Sequence, residues 1–94
     1  SFPVEIHYNF DKNYLKYVEE ELENIKNKLS HNLEKINNFF NSRKVYTDEE
    51  LAKFLNKTQE ETFEILYEYA DFKLGNKIKE CIEEKGKCEF YAEI

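Results

Sequence analysis

The side chains that could hold a metal ion in this sequence are two histidines and two cysteines: His7, His31, Cys81 and Cys88. Four nitrogen and sulfur ligands suffice for a tetrahedral zinc site. The two cysteines stand further apart than the roughly two to four intervening residues of usual zinc-binding pairs, and His31 falls on the polar side of a helical pattern. We therefore expect no metal site and no cofactor.

The same cysteines bear on disulfide chemistry. Two cysteines are too few for the disulfide framework of a small secreted protein, so free thiols are the favoured interpretation. One bridge between Cys81 and Cys88 stays open at this point. Surface histidines and buried thiols would account for all four side chains.

Catalytic groups of other kinds are sparse. With 2 glycines the chain cannot build a glycine-rich phosphate loop, and no serine or cysteine nucleophile is paired with a histidine in a recognisable pattern. The many glutamates are most simply solvated surface, because a general base needs a pocket around it. We expect that the chain is not an enzyme, since so short and helical a chain rarely forms a concave active site.

The composition predicts one acidic, folded domain. The chain has 94 residues, too few for two separate cores, and its 16% of aromatic residues can fill one core. We expect a single helical domain over residues 1–94. The net charge of −6 repels polyphosphate, which disfavours general nucleic-acid binding.

The sequence shows no targeting segment. No apolar run approaches the ~18 residues that span a bilayer, and the first residues lack the basic-then-apolar order of a signal peptide. We expect an intracellular chain, cytoplasmic or, in a eukaryote, nuclear, that does not bind membranes. Because the sequence contains no Met, either an initiator has been removed or the chain is a piece of a longer protein.

The elements that would position these side chains begin with a strand and a long helix. From Phe2 to Phe10 apolar and polar residues alternate, which is the period of a half-buried strand. Asp11 stands where a helix N-cap is expected, and neither Gly nor Pro interrupts the chain from Asn13 to about Phe40. This pattern predicts one long helix.

The apolar residues of that helix form one stripe, which has two interpretations. They recur mostly at spacings of three and four. They are Leu15, Val18, Leu22, Ile25, Leu29, Leu33, Ile36, Phe39 and Phe40. Most of them also fit the heptad seam of a homodimer, in which Asn32 would fix the register. The width of the stripe favours a helix that lies across a globular core, and the dimer seam is the alternative.

A threonine followed three residues later by a glutamate is a capping-box pattern that predicts the start of a helix. It occurs twice, as Thr47 with Glu50 and as Thr58 with Glu61. We expect two helices, from about Asp48 to Leu55 and from about Gln59 to Phe72. Their buried residues would be Leu51, Ala52, Phe54, Leu55, Thr62, Phe63, Leu66, Tyr69 and Ala70.

The remaining residues predict a short helix and a closing strand. Apolar residues at helical spacing are Leu74, Ile78, Cys81 and Ile82. Gly86 would end this helix in the left-handed conformation, although a strand over residues 77–83 is the alternative. Residues 88–94 alternate as a strand, which we expect to pair with the first strand. The predicted fold is mainly α with a small two-stranded sheet: strand, long helix, helix-turn-helix pair, short helix, closing strand.

The central segment, residues 47–66 within the pair at 47–72, resembles the helix-turn-helix motif of the winged-helix superfamily. Ala52 is small where the two helices would cross, Asn56 tolerates a left-handed turn, and Thr58 can cap the second helix. Ile65 and Leu66 return to the shared core. An ordinary pair of capped helices is the alternative interpretation.

This resemblance implies a nucleic-acid-binding surface, because the second helix of the motif enters the major groove in DNA-binding members. The residues that would form it are Lys44, Lys53, Lys57, Thr58, Gln59, Thr62, Lys85 and Lys87. The second helix departs from the pattern, since its carboxylates repel phosphate. These carboxylates are Glu60, Glu61, Glu64, Glu68 and Asp71.

Together these features favour a non-catalytic protein–protein interaction domain of a larger assembly. The acidic surface and the amphipathic long helix point the same way, and exposed tyrosines would be the natural anchors. These anchors would be Tyr14, Tyr17, Tyr67 and Tyr91. The partner would be another protein or a second copy bound through the long helix. A dimeric helix-turn-helix DNA-binding transcriptional regulator is the alternative.

Overall fold

The computed structural model describes residues 4–42 and 47–93. In this part of the chain, one strand precedes four helices and a second strand follows them. The elements are β1 (Glu5–Asp11), a 3-10 turn (Lys12–Tyr14), α1 (Leu15–Leu29), α2 (Asn32–Asn41), α3 (Asp48–Leu55), α4 (Gln59–Lys85) and β2 (Lys87–Glu93). The prediction of a mainly helical fold with a small two-stranded sheet is confirmed.

The chain divides into two compact units. Unit 1 comprises the described residues of Ser1–Glu23 and Leu74–Ile94, and unit 2 those of Asn24–Lys73. The divisions fall inside α1 and α4, so each of these helices contributes residues to both units. The organisation as a single domain over residues 1–94 stays a prediction.

Unit 1 contains the sheet, in which β1 and β2 pair antiparallel with Glu5 opposite Glu93 and Asp11 opposite Lys87. The expected pairing of the first and last strands is therefore confirmed. Because side chains alternate along a strand, the apolar residues share one face. They are Ile6, Tyr8, Phe10, Cys88, Phe90 and Ala92.

The predicted single helix over residues 13–40 is wrong in one respect, since it is broken between α1 and α2. Ser30 adopts a left-handed conformation with φ of 49°. Its N–H still donates to the Lys26 carbonyl at 2.9 Å, which closes α1, and α2 restarts at Asn32. Ser and Asn side chains compete for backbone hydrogen bonds and so lower helix propensity, which lets the helix end without Gly or Pro.

The apolar stripe of the two helices lies in the interior of the chain, as the core interpretation predicts. Its buried members are Val18, Leu22, Ile25, Leu29, Ile36 and Phe39. The burial of these side chains within one chain supports the core interpretation, and a homodimer through the long helix stays a prediction. Phe40 was expected in the stripe but is 48% exposed.

Unit 2 contains a core built from α2, α3 and part of α4. Its buried residues are Ile36, Phe39, Leu51 and Leu55, and Ile65, Leu66 and Tyr69 pack against them. The Tyr69 hydroxyl donates to Asn37 Oδ1 at 2.7 Å, so its polar end is satisfied. Phe54, Phe63 and Ala70 were expected to be buried, but all three are exposed.

The joint between α3 and α4 has the predicted local geometry. The Thr47 hydroxyl accepts from the Glu50 N–H, and Asn56 is left-handed with φ of 56°. The Thr58 hydroxyl accepts from the Glu61 N–H at 3.1 Å, while Glu61 Oε1 accepts from the Thr58 N–H at 3.3 Å. Both capping boxes thus start a helix where expected, and the two helices are joined by a tight turn.

The second helix of this pair does not end at Phe72 but continues to Lys85, so the expected separate short helix is part of α4. Gly75 is a close-packing position and not a helix end. A Cβ atom there would lie 2.8 Å from Leu22 Cδ2. Residues 77–83 are helical, as favoured, and Gly86 ends the helix with φ of 79°.

Candidate protein-interaction site

The four tyrosines predicted as anchors are all exposed, but they do not form one site. Tyr14, Tyr17, Tyr67 and Tyr91 expose 41%, 56%, 75% and 63% of their surface. Tyr14, Tyr17 and Tyr91 belong to unit 1, and Tyr67 belongs to unit 2. Each of the three locations therefore has to be considered on its own.

The structure brings Tyr14 and Tyr17 into a continuous row of rings, which we call the aromatic surface: Tyr8, Phe10, Tyr14, Tyr17 and Phe90. Ring centroids are 4.8 Å apart for Tyr8 and Phe90 and 5.8 Å for Phe90 and Phe10. They are 4.5 Å apart for Phe10 and Tyr14 and 6.1 Å for Tyr14 and Tyr17. These spacings are those of interacting aromatic pairs, so each ring restricts its neighbours.

The position of Tyr14 follows from the turn between β1 and α1. The Asp11 carboxylate accepts from the Asn13 N–H at 2.9 Å, which caps the turn. This fixes the path of the chain as it leaves the sheet and places the Tyr14 ring against Phe10. Tyr17 follows three residues later, in the first turn of α1.

The aromatic surface is partly buried at its base and open at its outer end. Phe10 and Phe90 are half-buried on the sheet, whereas Tyr8, Tyr14 and Tyr17 are exposed. The Lys16 Nζ lies 5.1 Å from the centroid of the Tyr17 ring, a cation–π distance. The outer end therefore combines apolar rings with hydroxyl groups and one positive charge.

Sequence reasoning missed Tyr8, Phe10 and Phe90 as members of this surface. Their alternation predicts the apolar face of a strand, and such a face is usually taken as core. A sheet of only two strands is too small for its apolar face to be covered completely. The expectation of only two strands is therefore the signal that could have identified these residues.

Tyr91 lies on the opposite face of the sheet, where it pairs with the directly opposed His7. The two rings stack with centroids 4.6 Å apart and an interplanar angle of 13°. Next to them Lys87 forms an ion pair with Glu89 at 3.2 Å. This is a separate and more polar surface.

Tyr67 is the most exposed of the four and lies on α4 within unit 2. It borders a shallow cavity of about 390 Å³ that Leu29 and Ile65 also line. Lys28 and Glu68 form an ion pair at 3.7 Å beside it. Among the described residues no second exposed ring lies against Tyr67, so a partner would find a single anchor here.

The residues predicted for nucleic-acid binding are only partly brought together. Lys53, Lys57, Thr58 and Gln59 line one shallow cavity of about 590 Å³ at the joint of α3 and α4. Lys85 and Lys87 belong to unit 1, and Lys44 lies outside the described residues.

The prediction that Thr62 contacts nucleic acid is wrong. This residue is 1% exposed, and its hydroxyl donates to the Thr58 carbonyl at 2.7 Å. The same observation confirms the other prediction for this residue, namely that it is buried on the inner face of α4.

The cavity at the joint is electrostatically mixed. Glu49 and Glu61 line it together with the two lysines. Hydrogen bonds from the Thr58 backbone and side chain, aided by the charge of Lys57, hold the pKa of Glu61 below its ordinary value. A carboxylate therefore stays ionised beside the place where a phosphate would have to approach.

The residues considered for metal binding are not gathered. Among residues 4–42 and 47–93, no group of three or more His, Cys, Asp or Glu side chains is placed to hold a metal ion. His7 is stacked on Tyr91, His31 precedes α2, and Cys81 and Cys88 are free thiols.

Within the described ranges, no helix is both long enough and apolar enough to cross a membrane. Comparison with known proteins finds no matching family model, no matching curated protein and no matching solved structure.

Proposed function

We propose that this chain is a non-catalytic protein-interaction domain of a larger assembly, and that the aromatic surface is its main contact site. The observation that supports this most is the continuous row of five rings that ends in the exposed Tyr14 and Tyr17. Tyrosine is enriched at the energetic centres of protein interfaces, because it buries a large ring and keeps a hydroxyl for hydrogen bonding.

The restricted rings favour binding for a second reason. Association costs free energy when mobile side chains become fixed. Tyr14 contacts Phe10, and the Tyr17 ring lies near both Tyr14 and the Lys16 ammonium group. Less conformational entropy is then lost when a partner covers these rings.

The charge of unit 1 indicates the chemistry of the partner. The excess of acidic over basic side chains in the whole chain, 20 against 14, lies mainly in unit 1. We propose a protein partner with an apolar centre and a basic rim, since opposite charges accelerate encounter and favour the correct partner. We also propose a cytoplasmic or nuclear location.

The test begins with a photo-crosslinking amino acid at position 17 and, as a matched control, at position 67. The protein captured from position 17 is identified, purified and titrated against Tyr14→Ala, Tyr17→Ala and Tyr67→Ala variants. Anchor residues contribute at least ~2 kcal/mol, so Tyr14→Ala or Tyr17→Ala should weaken binding by about 30-fold. Tyr91→Ala examines the opposite face in the same titration.

Tyr67→Ala should leave the affinity unchanged, because its ring is not part of the aromatic surface. Equal affinities for all variants that keep their circular dichroism spectrum would contradict the proposal. So would a captured partner whose affinity depends on Tyr67 and not on Tyr17.

A dimeric helix-turn-helix DNA-binding regulator is the second candidate. It is favoured by the tight left-handed joint at Asn56 and by the shared cavity of Lys53, Lys57 and Gln59. A titration of fluorescent duplex DNA at low salt separates the two functions. Binding that falls steeply with salt and is lost in Lys53→Glu/Lys57→Glu supports this candidate, and no binding at low salt excludes it.

A further inference from the structure

The two cysteines lie close together where α4 ends and β2 begins. The Cys81 thiol donates to the carbonyl of Lys87, the residue before Cys88, at 3.5 Å. Cys81 is partly exposed, whereas Cys88 is 8% exposed. Both thiols are free.

The fold brings them together through the way in which α4 ends. Gly86 adopts φ of 79° and donates its N–H to the Ile82 carbonyl at 2.7 Å. This left-handed cap reverses the chain, so that β2 starts beside the last turns of α4. Cys88 is then held in register opposite Phe10 by the sheet, which prevents it from moving away.

The buried thiol of Cys88 ionises less readily than a free thiol. Burial, a hydrogen bond with the Cys81 side chain and electrostatic repulsion from an ionised Cys81 raise the pKa of Cys88, against a smaller lowering by Lys85. The hydrogen bond from the Cys81 thiol to the Lys87 carbonyl places the Cys81 sulfur beside the residue that precedes Cys88.

We propose that Cys81 and Cys88 form an intramolecular disulfide by exchange with a small disulfide such as oxidised glutathione. The Cys81 thiolate attacks one glutathione sulfur, the sulfur–sulfur bond breaks, and one glutathione thiolate leaves. The Cys88 thiolate then attacks the Cys81 sulfur and releases the second glutathione. The two cysteines lose two electrons, the glutathione disulfide gains them, and the two thiol protons go to the released glutathione.

The order of attack follows from exposure. Cys81 can be reached by a molecule in solution, whereas Cys88 is covered and suited to resolve the mixed disulfide from within. The resulting bond would join the end of α4 to β2. This proposal does not depend on the proposed function.

The test uses the full chain, reduced and then equilibrated in buffers of increasing oxidised-to-reduced glutathione ratio. We expect the wild type to lose both thiols and two hydrogen atoms of mass, without dimer formation. Trypsin cleaves after Lys85 and Lys87 and so separates the cysteines, and the two peptides should remain linked until reductant is added.

Two single variants identify the intermediates. Cys88→Ser should stop at a mixed disulfide on Cys81, which adds one glutathione. Cys81→Ser should react at least ~10-fold more slowly, because its remaining thiol is buried. If either variant is unfolded by circular dichroism, the wild-type peptide map decides alone.

Three results would overturn the proposal. They are a wild-type chain that keeps glutathione on Cys81, one that forms disulfides only between chains, and one that keeps both thiols in the most oxidising buffer.

Discussion

Gly75 offers the sharpest test of how α1 and α4 pack in unit 1. Glycine inside a helix costs about 1 kcal/mol relative to alanine, so Gly75→Ala would stabilise an isolated helix by that amount. In the folded chain the new methyl group would lie 2.8 Å from Leu22 Cδ2 and 3.4 Å from Leu22 Cγ. Overpacking of a core typically costs roughly 1–3 kcal/mol.

These opposing effects predict a change of sign with the background. In the wild type, the overlap outweighs helix propensity, and Gly75→Ala should lower the free energy of unfolding by about 1 kcal/mol. In a Leu22→Ala background the overlapping atoms are gone, and the same change should raise it by about 1 kcal/mol. The coupling between the two positions is then about 2 kcal/mol.

The measurement is urea unfolding of the four chains of this double-mutant cycle, followed by circular dichroism. Leu22→Ala alone should lower the free energy of unfolding by roughly 2–4 kcal/mol, and unfolding of a domain of this size can still be measured after such a loss. If the Leu22→Ala chain is too unstable to measure, Leu22→Val is used in its place. Lys77→Gly and Lys77→Ala, at an exposed position of the same helix, give the intrinsic propensity difference. An identical effect of Gly75→Ala in both backgrounds would refute close contact between Gly75 and Leu22.

Three further outcomes are expected. Ser30→Gly should raise the free energy of unfolding by roughly 0.5–1 kcal/mol in urea, because it relieves the left-handed φ of 49°, whereas Lys35→Gly inside α2 should lower it by about 1 kcal/mol. Tyr69→Phe should lower it by about 1 kcal/mol through loss of the 2.7 Å hydrogen bond to Asn37, and no change would mean that this bond does not form. The lowered pKa of Glu61 stabilises the fold above the ordinary carboxylate pKa, and this stabilisation is lost as pH falls through the pKa of Glu61 in the folded chain. The difference in the free energy of unfolding between wild type and Glu61→Gln should therefore vanish when the pH is lowered. A difference that stays constant with pH would contradict this prediction.

Local chemistry made much of this fold predictable from the sequence. Thr47 and Thr58 announce helix starts because a threonine hydroxyl and a glutamate three residues on satisfy free backbone N–H groups. Asn56 and Gly86 announce left-handed ends for steric reasons that operate within a few residues. Apolar and polar residues alternate in both terminal segments, so each segment has one apolar face. Pairing of the two strands with each other is the simplest arrangement for such segments.

The misplaced boundaries have tertiary causes. Serine is not a strong helix-breaking residue. The left-handed conformation of Ser30 costs free energy, which is offset when α1 and α2 both bury their apolar sides. Gly75 gives a strong breaking signal, yet α4 continues through it because Leu22 needs the space of a missing side chain. In both cases packing outweighs a local preference of about 1 kcal/mol.

The same contrast between local pattern and tertiary packing explains why the sequence predicts only part of the aromatic surface. Helical periodicity predicts that Tyr14 and Tyr17 are exposed. Tyr8, in contrast, lies on a strand face, and whether other elements cover that face depends on the number of strands. A two-stranded sheet is marginal in water and relies on packing along one face. Substitution of Phe10 or Phe90 would therefore weaken folding and binding together. Only Tyr17, at the exposed end of the row, can lose its ring while the sheet keeps its support, and for that reason it is the residue at which binding and stability can be separated.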